Sequence, residues 1–252
     1  MPNVIVEEEE RATILTLNRP ERRNALTIDL MNELSDEVER ASAIPARRVL
    51  ILRGAGKAFC AGLDLEETHV TENAHRSAQA VARVLLAVSQ THLVTIAQIH
   101  GAAVAGGAGL MSACDFVVAA ERTKIGYPET KRGLVAGMVM TFLRRQLRER
   151  DLRELLFTGE LVSAERAREM GLVNRVVALE ELANETKRIV AGVLQSAPGA
   201  LANTKRLIEE LWSSSVEEDV KTALRHHMEA RESAEAKEGI AAFLEKREPN
   251  WI

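Results

Sequence analysis

The sequence predicts a layered α/β fold with parallel strands at its core, and three observations support this prediction. Short apolar segments typical of buried strands recur along the first half of the chain, helical segments separate them, and the last third is mostly helical in pattern. Alternating strands and helices favour a parallel sheet, because parallel neighbours need a long crossover connection. With 252 residues, 46% of them hydrophobic, the chain is long enough to bury a substantial core.

The strands are predicted from short apolar runs that end at turn residues. "VIVEEEERATILTLNRP" predicts two strands around an acidic turn, and the second ends before Pro20. "RRVLILRG" predicts a continuous apolar strand that stops at Gly54. "LVTIAQIHG" and "DFVVAAE" predict two further buried strands.

The helices are predicted from apolar residues at helical spacing and from capping residues. Thr27 is a plausible N-cap for a helix that carries Leu30, Leu34 and Val38 on one face. Ser163 and Gly171 bracket a second short helix. Other helices are expected over residues 66–90, from about 138 onward, and over 179–195, 198–212 and 216–246. We expect a core in residues 1–195 and a helical region in residues 196–252 that folds back on the core or makes subunit contacts.

Composition excludes several functional classes. The formal net charge is -4, from 33 basic and 37 acidic residues, so no electrostatic nucleic-acid footprint is expected. Cys60 and Cys114 form neither a CxxC pair nor a metal-spaced cluster, which favours a reduced, cytoplasmic compartment and no metal site. No signal peptide, membrane partner or membrane-spanning segment is predicted. "GAGKAF" lacks the spacing of a phosphate-binding loop and of a dinucleotide fingerprint.

Two glycine-rich segments leave backbone uncovered after predicted strands. They are "AFCAGLDL" at residues 58–65 and "AVAGGAGLMSACD" at residues 103–115. Two backbone N–H groups aimed at one point make an oxyanion hole. Close helix–strand packing is the alternative, because it also favours glycine, and each segment taken singly favours that interpretation. A third segment, "KIGYPETKRG", adds one carboxylate, Glu129, and shifts the balance toward a site.

These segments resemble the crotonase superfamily, also called the enoyl-CoA hydratase/isomerase family. The resemblance spans nearly the whole chain in the right order, through "LNRPERRNALT", "GKAFCAGLDL", "IHGAAVAGGAGLMSACDFVVAAE", "KIGYPETKRGL", "FTGELVSAERAREMGLVNRVV" and "EGIAAFLEKREPNW". It implies a spiral of strand–strand–helix units capped by C-terminal helices that trimerise, giving a homotrimer or hexamer. It also implies acyl-CoA thioester substrates, with coenzyme A entering as part of the substrate and no separate cofactor.

The resemblance assigns roles to particular residues. The backbone N–H groups of Leu63 and Gly106 would stabilise a thioester enolate, and Glu129 would be the catalytic carboxylate. The coenzyme A moiety would be lined by Arg22, Arg23, Ala25, Lys57 and Ala61. Phe243 and Lys246 would reach its adenine end, in the same or a neighbouring subunit.

The chain departs from the hydratase pattern at one position. Similar hydratases carry two glutamates, and the position of the first is Gly109 here. One carboxylate can still move a proton between C2 and C4 of an enoyl thioester, so an isomerase is favoured. A hydratase with unusual water activation and a catalytically silent acyl-CoA-binding scaffold are the alternatives. The thioesterase branch would need an aspartate where this chain has Gly137.

Two side chains keep alternative interpretations. Glu129 follows Pro128 and could instead cap a helix that starts at Thr130. Arg132 lies three residues after Glu129 and could meet a polar acyl group. The two adjacent histidines, His226 and His227, are expected at the surface or at an interface.

Overall fold

A six-stranded sheet lies at the centre of the molecule in the computed structural model, which describes residues 2–68 and 71–250. In chain order the strands are β1 (Val4–Glu8), β2 (Ala12–Leu17), β3 (Val49–Gly54), β4 (Val94–Ile99), β5 (Ala102–Val104), β6 (Phe116–Ala120), β7 (Lys124–Gly126), β8 (Val162–Ser163) and β9 (Arg175–Val177). The central sheet has the order β1-β2-β3-β4-β6-β9. From β2 to β9 all neighbours are parallel, and β1 pairs antiparallel at one edge. The predicted parallel α/β core is confirmed.

Helices cover the sheet and fill the second half of the chain. They are α1 (Ile28–Ala43), α2 (Leu65–Thr68), α3 (Thr71–Gln90), α4 (Gly106–Ser112), α5 (Gly137–Gln146), α6 (Glu149–Thr158), α7 (Ala164–Met170), α8 (Leu182–Leu194), α9 (Pro198–Glu210), α10 (Val216–Arg231) and α11 (Ala234–Glu245). The Thr27 hydroxyl accepts a hydrogen bond from the Leu30 N–H, as its predicted capping role requires. Ser163 caps α7 in the same way, and Gly171 ends that helix with a φ of +102°.

Some predicted helices are interrupted. The helix expected over residues 216–246 is two helices, because the Ser233 hydroxyl accepts a hydrogen bond from Ala236 N–H and starts α11 anew. The helical stretch after 138 likewise breaks at Leu147, whose extended backbone ends α5. The prediction over residues 66–90 corresponds to α2 and α3, and it crosses residues 69 and 70, which lie outside the described residues.

The structure contains a second, smaller sheet of three strands. It has the order β5-β7-β8, with β5 and β7 parallel. Single parallel bridges, Leu26 to Leu63 and Cys60 to Ala103, extend this layer to one side. Strand β4, strand β5 and helix α4 therefore form one strand–strand–helix unit, and β6, β7 and α5 form the next. This repeated unit is the spiral that the resemblance predicts.

The last helices fold back on the core of the same chain. Helix α10 packs against α3 and α5, and α11 packs against the 3-10 turn Pro128–Arg132. A Cβ on Gly239 of α11 would lie 2.4 Å from the carbonyl carbon of Arg132, so this approach is very close. Within residues 2–68 and 71–250, every helix is too short or too polar to cross a bilayer.

Asn24 joins the loop before α1 to the segment that follows β3. It is fully buried, with a left-handed φ of +56°. Its side-chain amide donates to the carbonyl oxygens of Ala55, Ala58 and Phe59 at 2.8–3.1 Å. Its side-chain oxygen accepts from the Arg19 N–H at 2.9 Å. One asparagine therefore satisfies four backbone groups and fixes the relative position of two loops.

We expect Asn24→Ala to lower the free energy of unfolding by about 2–4 kcal/mol, because buried carbonyls would lose their donor and alanine disfavours a positive φ. Urea unfolding followed by circular dichroism measures this change. Asn18→Ala is the matched control, since the Asn18 side chain makes an exposed hydrogen bond to Pro2; it should change the stability by less than about 0.5 kcal/mol. Equal losses in the two variants would contradict the structural role of Asn24.

Candidate active site

The register of the second sheet brings three segments to one edge. Cys60 is bridged to Ala103, and Ala103 pairs with Ile125 of β7. Leu63 lies three residues beyond Cys60, and Gly106 lies three residues beyond Ala103. Glu129 lies four residues beyond Ile125. Since parallel strands run in the same direction, residues at similar offsets leave the sheet at the same edge. The sheet therefore gathers residues that are far apart in sequence.

A cavity of about 720 Å³ opens at this edge. Leu63, Gly106 and Glu129 all line it. Of the residues that the resemblance assigns to the coenzyme A moiety, six also line the cavity: Arg22, Arg23, Ala25, Ala61, Phe243 and Lys246. Lys57 is exposed and lies outside this lining, with its carbonyl oxygen against Gly101.

Two backbone N–H groups in the wall have no acceptor in the part of the chain that the structure describes. On either side of Leu63, the Gly62 carbonyl and the Asp64 N–H bond to Leu26 at 2.8 and 2.9 Å. The intervening Leu63 N–H has no acceptor among the described residues. Gly106 begins α4, where N–H groups lack an intrahelical acceptor, and its N–H likewise has no acceptor within residues 2–68 and 71–250.

The backbone around these two N–H groups is tightly packed. Gly62 has a φ of +95°, and a Cβ there would lie 2.9 Å from the Val104 oxygen and 3.5 Å from the Gly106 nitrogen. The two glycine-rich segments are therefore in direct contact. Ala105, just before Gly106, has φ 50° and ψ -124°, which strains an L-residue. Its N–H donates to the Gly126 oxygen and its oxygen accepts from the Gly109 N–H, both at 2.9 Å, which holds the strained peptide in place.

Glu129 is the second residue of the 3-10 turn Pro128–Arg132, and no side chain caps that turn. The capping interpretation of Glu129 is therefore wrong. Its Oε2 atom is buried and has no hydrogen-bond partner in the described part of the chain. Burial raises the pKa of this carboxyl from 4.5 to about 7, while its own backbone N–H and the nearby Arg132 charge lower it in part. Such a carboxyl exchanges a proton near neutral pH.

Tyr127 connects the Glu129 segment to α4. Its ring is fully buried, and its hydroxyl lies 2.7 Å from the Ser112 hydroxyl and donates to the Ala108 oxygen at 3.3 Å. Pro128 then restricts the backbone between this anchor and Glu129. The hydrogen bonds between Tyr127 and α4 therefore hold the Glu129 segment next to the helix that begins at Gly106.

The helix position where a second glutamate would stand is closely packed against a neighbouring side chain. A Cβ on Gly109 would lie 2.4 Å from Cγ1 of Val139, a cavity-wall residue. Asp64, another carboxylate in the lining, bonds to Arg19 at 3.1 Å and lies 3.6 Å from Arg22. Asp115 accepts from Thr95 and from Lys205, so its role is structural.

Sequence reasoning misplaced one lining residue. His226 is exposed as predicted, but His227 is buried and lines the cavity, so the surface interpretation of His227 is wrong. The His227 Nδ1 lies 3.4 Å from the Val135 oxygen, and burial lowers its pKa, which keeps the ring neutral. The helical spacing of Val216, Val220 and His227 on α10 could have indicated the buried face.

Comparison with known proteins gives a consistent result. The family profile described as Enoyl-CoA hydratase/isomerase matches residues 7–252. A Thermus thermophilus protein named "Putative enoyl-CoA hydratase" is 38% identical over 250 residues, covering 97% of this chain and 98% of that one. A crotonyl-CoA hydratase of Syntrophomonas wolfei is 34% identical, covering 99% and 98%. The crystal structure of an enoyl-CoA hydratase from Mycobacterium avium superposes with a TM-score of 0.87 at 32% identity, covering 99% of each chain. The chain belongs to the enoyl-CoA hydratase/isomerase family.

Proposed function

We propose that this family member moves a double bond in an enoyl-CoA thioester, converting a 3-enoyl into a 2-enoyl group, with Glu129 as its proton carrier. The observation that carries this proposal is one carboxyl, Glu129, whose buried oxygen lies in the same cavity as two N–H groups, none of the three having a hydrogen-bond partner in the described part of the chain. That set of groups suits the formation of an enolate and its reprotonation.

The two N–H groups would act on the thioester oxygen. As a proton leaves C2, negative charge moves from the C2–H bond through the carbonyl group to this oxygen. Donors from Leu63 and Gly106, fixed before the reaction, favour the charged transition state over the neutral ground state. The tight contacts of Gly62 supply this rigidity, because the segment has little space in which to relax.

Glu129 would perform both proton transfers. Its carboxylate removes a proton from C2 of the 3-enoyl thioester, and the electron pair delocalises over the dienolate. The resulting carboxylic acid returns the proton at C4, the C2–C3 bond becomes the double bond, and Glu129 regains its starting charge. This cycle uses one carboxyl and no separate cofactor. Hydration would also need a group that orients and activates water.

The mouth of the cavity suits the rest of the substrate. Arg22, Arg23 and Lys246 bring positive charge to the lining, which favours phosphate groups, and Ala25 and Ala61 leave space for a narrow chain. The proposal places the coenzyme A moiety there. A homotrimer or hexamer formed through the region 196–252 is part of the same proposal, supported by the exposed Leu207, Ile208 and Leu211 of that region.

Hydration of a 2-enoyl-CoA is the second candidate, because the relatives named above carry hydratase names. In this case Glu129 would activate water without a second glutamate. A silent acyl-CoA-binding scaffold would bind thioesters and catalyse neither reaction. The same assays separate all three functions.

We expect the protein to convert 3-hexenoyl-CoA to 2-hexenoyl-CoA faster than it hydrates crotonyl-CoA. Glu129→Gln should reduce the isomerisation kcat at least 10³-fold and leave hexanoyl-CoA binding within about threefold, because the amide cannot carry the proton. Product chromatography and calorimetric binding measure these quantities. Glu21→Gln is the control, since Glu21 is an exposed carboxylate of the same lining.

Faster hydration than isomerisation would replace the proposal with the hydratase alternative. Binding with neither reaction would support the scaffold. Full isomerase activity in Glu129→Gln would remove Glu129 from the mechanism.

The charge state of Glu129 should also affect stability. Its folded pKa, about 7, is above its usual 4.5, so the folded state binds a proton more tightly than the unfolded state. This contribution is complete below pH 4.5 and is lost as pH rises through 7, which amounts to about 3 kcal/mol. Glu129→Gln lacks this titration. The free energy of unfolding of the variant minus that of wild type should therefore increase between pH 4.5 and 7.5 in urea titrations, and a constant difference would contradict the raised pKa.

The contact between Gly109 and Val139 predicts how the site tolerates a second carboxylate. Gly109→Glu alone should destabilise the fold by about 1–3 kcal/mol, because its Cβ overlaps Val139. Adding Val139→Ala should recover part of this loss and raise crotonyl-CoA hydration above the wild-type rate. Val139→Ala alone is the control, and urea unfolding with the hydration assay provides the measurement. An additive double variant would show that Val139 is not the obstacle.

A further inference from the structure

The cavity contains a second unusual side chain, Arg132. It lines the same cavity as Glu129 and follows it by three residues in the 3-10 turn Pro128–Arg132. Side chains at positions i and i+3 of a 3-10 helix eclipse each other, and three residues advance about 6 Å. Arg132 and Glu129 therefore leave the turn on the same side, about one turn apart.

The hydrogen-bonding capacity of Arg132 is largely unused in the described residues. Its Nη1 donates to the Pro128 oxygen at 3.3 Å, and its buried Nε donates to no protein group. No carboxylate of the described chain lies within 4.0 Å of its guanidinium, whereas Arg19 has one and Arg22 and Arg145 have two each. A guanidinium has five N–H donors, so an anionic ligand could satisfy several of them.

The surroundings of Arg132 make its charge expensive without an anion. Burial lowers the pKa of its guanidinium, although the Glu129 charge opposes this effect. The Phe243 ring covers one face of the guanidinium, with Cζ 4.4 Å from the ring centroid, so a contact of Phe243 with adenine would be to coenzyme A bound by a neighbouring subunit. An aromatic ring on the face leaves the edge of the guanidinium plane for a planar, bidentate partner, and a carboxylate has this geometry.

We propose that the preferred substrate carries a carboxylate on its acyl group, and that Arg132 binds this carboxylate. The proposal rests on the acyl-CoA function proposed above and adds the substrate class. Glu129 must reach the reacting carbons, so an anion bound one turn away belongs to the acyl group near those carbons. The phosphates of coenzyme A are separated from the thioester by the whole pantetheine chain, and Arg23 and Lys246 of the cavity lining are available for them.

Binding of two saturated thioesters tests this assignment without turnover. Glutaryl-CoA and pentanoyl-CoA have five acyl carbons each and differ in the terminal carboxylate. Calorimetry should show at least tenfold tighter binding of glutaryl-CoA to the wild-type protein. Arg132→Gln should remove this preference and change pentanoyl-CoA binding less than threefold. Arg132→Lys keeps the positive charge but cannot form a bidentate contact, so it should retain a smaller preference for glutaryl-CoA. It replaces the glutamine variant if that variant does not fold.

Arg23→Gln is the matched control, because Arg23 lies in the same lining at the exposed mouth. It should weaken both ligands by the same factor and leave their ratio unchanged. Equal binding of both thioesters to wild type would overturn the proposal. If Arg132→Gln weakened the binding of both thioesters equally, Arg132 would be assigned to a coenzyme A phosphate, and the proposal would also be overturned. The pantetheine thioesters of the same two acyl groups lack the nucleotide and its phosphates. With these ligands the wild-type protein should still prefer the glutaryl group.

The outcome is independent of the isomerase assay. If 3-hexenoyl-CoA is not isomerised but glutaryl-CoA is preferred, the proposed reaction fails and the carboxylate site stands. If isomerisation occurs without that preference, the reaction stands and the carboxylate site fails.

Discussion

The close approach of two backbone segments is the constraint on which the rest of the site depends. Cys60 and Ala103 are bridged, and a Cβ on Gly107 would lie 2.5 Å from the Cys60 oxygen. No side chain larger than hydrogen fits at Gly62 or Gly107, so this contact requires glycine on both sides. As a result, Leu63 and Gly106, which carry the two N–H groups, both line the cavity. The strain at Ala105 persists because the Gly126 and Gly109 hydrogen bonds hold it from both sides.

The electrostatics of the cavity follow from which charges are paired. Asp64 is neutralised by Arg19 and Arg22, and Asp115 by Lys205. Glu129 and Arg132 share one turn but form no ion pair within 4.0 Å, and burial disfavours the charge on each. An unpaired carboxyl and an unpaired guanidinium, both partly desolvated, are what a site needs if the substrate is to complete the charge balance. Tyr127 and Pro128 keep the carboxyl at a fixed place relative to α4.

Local signals were sufficient for much of the fold. Thr27, Ser163 and Gly171 mark helix ends through short-range hydrogen bonds, and apolar runs mark the central strands. The second sheet was harder, because a strand of three residues or a single bridge leaves almost no periodic pattern. The burial of His227 depends on α10 packing against two other helices, and in the sequence only its helical spacing from Val216 and Val220 indicates that face. Nothing in the sequence indicated the positive φ of Ala105, because alanine rarely adopts such a conformation. Glu129, Leu63 and Gly106 were located by the family resemblance, and the register then explained why they meet.

The contact between Gly109 and Val139 has a consequence for how sequences of this kind can diverge. The side chain of Val139 occupies the space that a side chain at position 109 would need. The effect of a substitution at one of these two positions therefore depends on which residue is present at the other. A lineage that starts from this sequence loses less stability on gaining a larger residue at 109 if residue 139 has become smaller first. The reverse path carries no such condition, because shrinking residue 109 first leaves only a cavity. The chemistry of a site can thus be easier to lose than to recover, for reasons of packing alone.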